Sequence, residues 1–475
     1  MQRRKFIQNT ALLSSLLLID PMDVVAGGIS KDFPVVRVAK GKRNFESTVI
    51  EQAIVEFQKN VKDPELKWLF NNCFPNTLDT TVTYSEKNGK PDTYVITGDI
   101  DAMWLRDSSA QVWPYMAFMG KDVKLKKLIA GVINRQTEYI LKDPYANAFY
   151  NDPNKKGEWT TDQTAMKPGV HERKYEIDSL CYPIRLAYNY WKMTGDTAPF
   201  DANWVKAIKS TLKVFKDQQQ KDGSGPYSFQ RVTNNGTDTR TLKGFGYPVK
   251  PVGLVSSAFR PSDDSTVFSF LVPSNFFIVV SLKQAAEMMR TIKKENSLAK
   301  ELDALSAEVD KALKEYAVVK HAKYGDIYAF EVDGFGNHLL MDDANVPSLL
   351  GLPYLDAIDV NDPIYQNTRK FVLSTDNPFF FKGKAAEGIG GPHVGMDMVW
   401  PMSIIMRALT TSDPKEIKEC IKTLKATHGD TGFMHESFHK DDPKNFTRAW
   451  FAWTNTLFGE LLWETYKKQP KLLQA

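Results

Sequence analysis

Thr97-Gly98-Asp99-Ile100-Asp101-Ala102-Met103-Trp104-Leu105-Arg106-Asp107 runs from a glycine turn into an apolar helical repeat, and this junction sets the reading of the chain. It carries three carboxylates, an indole and a guanidinium. An aromatic face stacks on C–H groups, while carboxylates and Arg fix hydroxyls in defined directions, so the mixture suits a sugar. Trp104, Asp107 and Gln111 then share one face of the helix that begins here. A chemically unusual loop feeding an amphipathic helix is the unit that recurs.

Helical spacing of apolar residues appears at 48–61, 103–119, 122–142, 177–194, 199–220, 272–293, 296–318, 345–357, 363–374, 394–410, 413–427 and 446–467. Short turns such as Asp196-Thr197 and Asp413-Pro414 join helices into pairs. Longer connections separate the pairs: 74–102, with short strands, then 143–176, 222–271, 321–344 with a hairpin at Asp333-Gly334, 375–393 and 428–445. The expected fold is all-α, six helical hairpins closed into an (α/α)6 barrel, a toroid with long loops and short β-hairpins over one end. Such loops build the pocket. An open α-solenoid shares the helix pattern, but these long loops are not repeats of one another.

The bulk figures fit that picture. An apolar fraction of 42% and a charged fraction of 25% over 475 residues are those of an ordinary globular chain. Aromatics at 12%, with ten Trp, lean towards carbohydrate contact, although most rings belong in a core. A net charge of +4 spread along helices offers no nucleic-acid stripe and no polybasic membrane anchor. Cys73, Cys181 and Cys420 are too few for a disulfide framework or a Cys-based zinc cluster.

Residues 1–26 read as an export signal. Arg3, Arg4 and Lys5 precede the apolar run Ala11 to Ile19, and Val24-Val25-Ala26 offers a cleavage site before Gly27. The run is too short to stay in a bilayer as a helix. A periplasmic or secreted protein is expected, with 27–475 as a single catalytic domain.

Two further segments carry carboxylate chemistry. In Arg260-Pro261-Ser262-Asp263-Asp264, a turn or helix cap competes with a glycosidase general acid, and only one Asp of the doublet can reach a glycosidic oxygen. Glu436, flanked by Phe433, Met434 and Phe438, suits either a salt bridge to Arg448 or a general base acting on water. His435 to His439 also spells H-E-x-x-H, the zincin pattern, but Gly432 and Pro443 make a poor helix. The sugar-binding candidates are Asp99, Asp101, Trp104, Arg106 and Asp107. Asp178 in an acidic helix start, Arg260 and Ser262 beside the doublet, and His393, Asp397, Trp400, His435, Arg448 and Trp450 complete the set. No Walker loop, Rossmann glycine run or G-x-S-x-G elbow is present.

Seven stretches together resemble glycoside hydrolase family 125, the bacterial exo-α-1,6-mannosidases. They are TGDIDAMWLRDS (97–108), YEIDSLCYP (175–183), FRPSDDS (259–265), VPSNFF (272–277), GPHVGMDMVWP (391–401), GFMHESF (432–438) and FTRAWFAWTN (446–455). The resemblance implies an (α/α)6 barrel and metal-independent, inverting removal of terminal α-1,6-linked mannose from a mannose-containing oligosaccharide, with no cofactor. It places the general acid in the RPSDD segment, assigned to Asp263 with Asp264 in reserve, and the base on Glu436. The other readings are a zinc metallopeptidase using His435, Glu436 and His439, a non-catalytic glycan-binding protein, and a glucoamylase-like hydrolase of the same fold.

Overall fold

The computed structural model describes residues 33–474. The expected export signal at 1–26 lies outside them. The helices are α1 Thr48–Asn60, α2 Pro64–Cys73, α3 Asn76–Thr80, α4 Leu105–Val112, α5 Val123–Lys142, α6 Asp178–Thr194 and α7 Ala202–Gln218. They continue with α8 Val272–Met288, α9 Asn296–Tyr316, α10 Pro363–Val372, α11 Pro401–Leu409, α12 Pro414–Ala426 and α13 Ala452–Lys468.

Two kinds of helix start separate two roles. Helices α1, α2, α5, α7, α10 and α12 open on Ser47, Asp63, Asp122, Asp201, Asp362 and Asp413, whose side chains accept from first-turn N–H groups. Helices α4, α6, α8, α11 and α13 have no side-chain cap. Of these five, α4 packs on α6, α6 on α8, α11 on α13, and α13 back on α4. The flanking helices are the capped α5, on α6 and α7, α12, on α11, and α2, on α13, with α9, which has no side-chain cap, on α8. One continuous apolar core runs from Ile50 to Leu473.

Most expected helices form, and the departures have local causes. The stretch 345–357 is buried irregular backbone with one 3-10 turn at Pro353–Leu355. Pro347 and Pro353 lack N–H groups, and the Asp342 carboxylate takes the N–H groups of Leu349 and Leu350 at 2.8 and 2.9 Å. Residues 394–400 end in the strand Met398–Val399, so that helix starts only at Pro401. Asp442–Thr447 is also a strand, leaving helix from Ala452 onward. Helices α2 and α3 fall where no helix was expected.

Three small antiparallel sheets lie at the uncapped helix ends. They join Met103–Trp104 to Ala148–Phe149 and Val170–Glu172, then Phe270–Leu271 to Glu331–Val332 and His338–Leu339, then Met398–Val399 to Ser437–His439 and Asp442–Thr447. The second contains the hairpin expected at Asp333-Gly334.

Candidate active site

The doublet sits on a tight turn. Asp263 N–H donates to Arg260 O at 2.9 Å, and Arg260 N–H to Asp264 O at 2.7 Å. Arg260 Nε is anchored on buried Glu331 at 2.7 Å, whose other oxygen takes the N–H groups of Val267 and Phe268. Ser262 Oγ donates to Asp264 Oδ2 at 3.2 Å. Arg260 and Ser262 therefore shape the turn from behind.

The two aspartates face different surroundings. Asp264 is enclosed, its side chain 2% exposed, and accepts from Thr237 Oγ1 at 2.7 Å. Asp263 has a left-handed backbone, φ +66°, a conformation costing an L-residue roughly 1 kcal/mol. That geometry turns its carboxyl, 21% exposed, towards open space.

Around Asp263 lies a crowded charge cluster. The Arg106 guanidinium pairs with Glu176, with Asp178 at 3.1 Å, with Asp263 at 3.2 Å and with Asp107 at 3.4 Å. Asn147 Nδ2 donates to Glu176 and to Asp263, at 3.2 and 3.3 Å. Lys174 Nζ reaches Asp263 O at 2.8 Å. Burial drives the Glu176 carboxyl well above the usual carboxylate range and lifts Asp107 to about 6. Burial acts the same way on Asp263, but Arg106, the hydrogen bond shared with Glu176, and Lys174 outweigh it and hold Asp263 below the usual range.

Glu436 approaches from the third sheet. Ser437 pairs with Thr447, so Glu436 and Arg448 flank the same end of a hairpin. Thr447 Oγ1 donates to Glu436 Oε2 at 2.9 Å, and Arg448 Nη1 lies 3.5 Å from Oε1. The same guanidinium grips Asp99 and reaches Thr97 Oγ1 at 3.1 Å. Gly98 makes this possible: at φ +133° its bare Cα packs on Trp450 O, where a Cβ would collide.

His393 links the two halves. Burial opposes its charge, but Asp264 first, then Glu436 and Asp263, raise its pKa to about 9. Its Nδ1 lies 3.4 Å from Asp264 Oδ1, and the rings of Trp400 and Phe451 lead from it to Arg448 and so to Glu436. Trp104 Nε1, Asp107 Oδ2, Trp400 Nε1 and Trp450 Nε1 are buried without a hydrogen-bond partner among the described residues. Trp104 stands in a small cluster with Ala102 and Ala148, outside the main core. These groups have the chemistry to hold a polyol. The uncapped starts of α4, α6, α11 and α13 directly follow Trp104, Ile177, Trp400 and Phe451, so their positive dipole ends favour the carboxylates gathered at the site.

Several expected residues lie elsewhere. Asp101 is 73% exposed, paired with Lys155 at 3.5 Å, and lines a separate cavity of about 440 Å³ with Tyr94, Tyr150 and Asp152. Asp397 pairs with Lys440 at 2.6 Å, because its left-handed backbone turns it to that hairpin. Asp178 is fully buried and serves Arg106. His435 stacks on Phe446 at 3.7 Å and bonds Thr431, and burial lowers its pKa to about 4. Ser437–His439 is a strand, so His435 and His439 share no helix face, and the zincin geometry is absent. Among the described residues no group of three His, Cys, Asp or Glu is arranged to hold a metal.

Asn147, Lys174, Glu176, Thr237 and Thr447 were not expected. Glu176 lies inside the YEIDS stretch and was readable as acidic; Asn147 and Lys174 sit in a connection without periodic signal.

Residues 63–463 match the family described as metal-independent alpha-mannosidase, GH125. The chain is 40% identical over 459 residues to the meiotically up-regulated gene 157 protein of Schizosaccharomyces pombe, covering 93% of this chain and 90% of that protein. It is 43% identical, with a TM-score of 0.85, to a metal-independent alpha mannosidase of Streptococcus pneumoniae solved in a non-productive complex with alpha-1,6-mannobiose, covering 89% of this chain and 99% of that one. A bacterial glucoamylase complexed with acarbose shares 13% identity at a TM-score of 0.52, covering 78% and 50%, a likeness of fold alone.

Proposed function

The chain belongs to the GH125 family of metal-independent α-mannosidases, and from that premise we propose that its pocket releases terminal α-1,6-linked mannose from glycans by a single, inverting displacement. Asp263 gives a proton to the glycosidic oxygen as the C1–O bond breaks. Glu436 takes a proton from a water that attacks C1 from the opposite face, and β-mannose leaves. Such a displacement needs carboxyls roughly 6.5–9.5 Å apart, leaving room for the water. The linkage comes from the disaccharide in the pneumococcal complex.

One observation carries this reading: contacts run from the Asp263-Asp264 doublet through His393, Trp400, Phe451 and Arg448 to Glu436, 173 positions after Asp263 in the sequence. The run of contacts from α11 through α13, α4 and α6 to α8, with α2, α5, α9 and α12 packed against it, supports an (α/α)6 barrel. Residues 1–26 fit an export signal, which fractionation of a tagged full chain would test.

The deciding experiment follows α-1,6-mannobiose hydrolysis by NMR. β-Mannose appears first, and Asp263→Asn and Glu436→Gln each lose most of the activity. Initial α-mannose, or full activity in either variant, refutes the mechanism.

A further inference from the structure

Four carboxyls converge on the single guanidinium of Arg106, and the second cation, Lys174, is itself claimed by Glu172 at 3.5 Å and Asp238 at 2.6 Å. Like charges this close cannot all ionise. The proton has an evident place. Asn147 Nδ2 reaches both Glu176 and Asp263, so the two carboxyls lie side by side, and a hydrogen bond between them needs one proton. Asn147 Nδ2 and the two arms of Arg106 bridge the same pair, and Ser179 Oγ donates to Glu176 Oε2 at 3.0 Å. Glu176 is sealed, its side chain 0% exposed, whereas the Asp263 side chain is 21% exposed.

We propose that Glu176 is a positioning residue that stores the proton Asp263 delivers, passing it across their shared hydrogen bond when a glycosidic oxygen arrives. This rests on Asp263 being the acid. The O–H bond on Glu176 breaks as one forms on Asp263. That proton then goes to the departing sugar oxygen, which takes the C1–O electron pair. Arg106 and Ser179 hold the Glu176 carboxylate left behind. A solvent proton re-enters through exposed Asp263 as Glu436 releases the one it took from water, so protons balance over a turnover. The burial that raises Glu176 and the cations that lower Asp263 put the resting proton on Glu176.

The test compares full-length wild type, Glu176→Gln and Asp263→Asn on α-1,6-mannobiose and on α-mannosyl fluoride, whose leaving group needs little protonation. Glu176→Gln is expected to lose about 100-fold on mannobiose, to stay within a few-fold on the fluoride, and to move the alkaline limb of its mannobiose pH profile to lower pH. Equal losses on both substrates, or an unmoved limb, overturn the storage role. Full mannobiose activity in Asp263→Asn instead overturns the assignment of the acid, a separate outcome. Should Glu176→Gln fail to fold, infrared difference spectra of wild type with ¹³C-labelled glutamate decide. A protonated, label-shifted Glu carboxyl at neutral pH supports the proposal, and its absence overturns it.

Discussion

Arg448 Nη1 sits 3.5 Å from Glu436 Oε1 while the rest of its guanidinium clasps Asp99 and Thr97, so the proposed base is aimed by a residue tied to the first carboxylate cluster. A lysine presents one point charge where Arg presents a planar fork. Arg448→Lys should lower kcat by about 10–100-fold, as misplacement of a base does. Steady-state kinetics with unchanged circular dichroism checks this; full kcat would remove Arg448 from the aiming role.

The doublet should divide cleanly. Asp264 is committed to Thr237, Ser262 and His393, while Asp263 keeps part of its side chain exposed. Asp263→Asn should cost about 100–10,000-fold in kcat on mannobiose. Asp264→Asn should keep a larger share of activity but melt at lower temperature. Reversal of that order would hand the acid role to Asp264.

The charge on His393 gives a stability signature with a definite sign. Its folded pKa of about 9 exceeds the ordinary value of 6.5. The stabilisation is therefore complete below about pH 6.5 and fades as pH rises through 9. It amounts to at most about 3 kcal/mol. Urea unfolding of wild type and His393→Gln between pH 6 and 10 should show a gap that narrows with rising pH. A constant gap would mean the ring acts by packing alone.

Gly98→Ala places a Cβ against Trp450 O at a φ that side chains rarely adopt. Strain and overlap together should cost about 2–4 kcal/mol. Thermal melts should record the loss, with activity falling as Arg448 shifts. An unchanged melting temperature would show that the 98–450 contact is slack.

The indole N–H of Trp104, two residues before Arg106, is buried without a partner among the described residues. Trp104→Phe keeps a ring but removes that donor. A hydrogen bond to a sugar hydroxyl lost there should cost about 1–1.5 kcal/mol, read as roughly tenfold in kcat/KM. Unaltered kinetics would make the indole a packing residue only.

Much of this was legible in the sequence because local chemistry and periodicity coincide. Helices such as α5 and α7 declare themselves by apolar spacing and by Asp122 and Asp201 at their starts. Glu436 of HESF stood out because its aromatic and glycine neighbours rule out a solvated face, whereas in RPSDD turn chemistry and a general acid read alike. Other features depend on partners far along the chain. Nothing in the residues around Asn147 tells that its amide will bridge Glu176 and Asp263. Asp101 and Asp397 carry the same side chain as Asp99 or Asp263, and only backbone direction separates them. The false helix at 345–357 arose because buried apolar spacing looks alike in helix and irregular chain, and the carboxylate that captures its N–H groups lies outside the window at Asp342.

Ala452 N–H donates to Thr97 O at 3.0 Å, and Thr77 Oγ1 meets Thr456 Oγ1 at 2.7 Å, so α13 is fastened to elements more than 350 positions earlier. During translation the acid would be complete while the base and its anchor were still unsynthesised. A growing polypeptide can therefore possess a proton donor, a charged histidine and most of a sugar cradle yet cut nothing. Activity switches on only when the last helix docks.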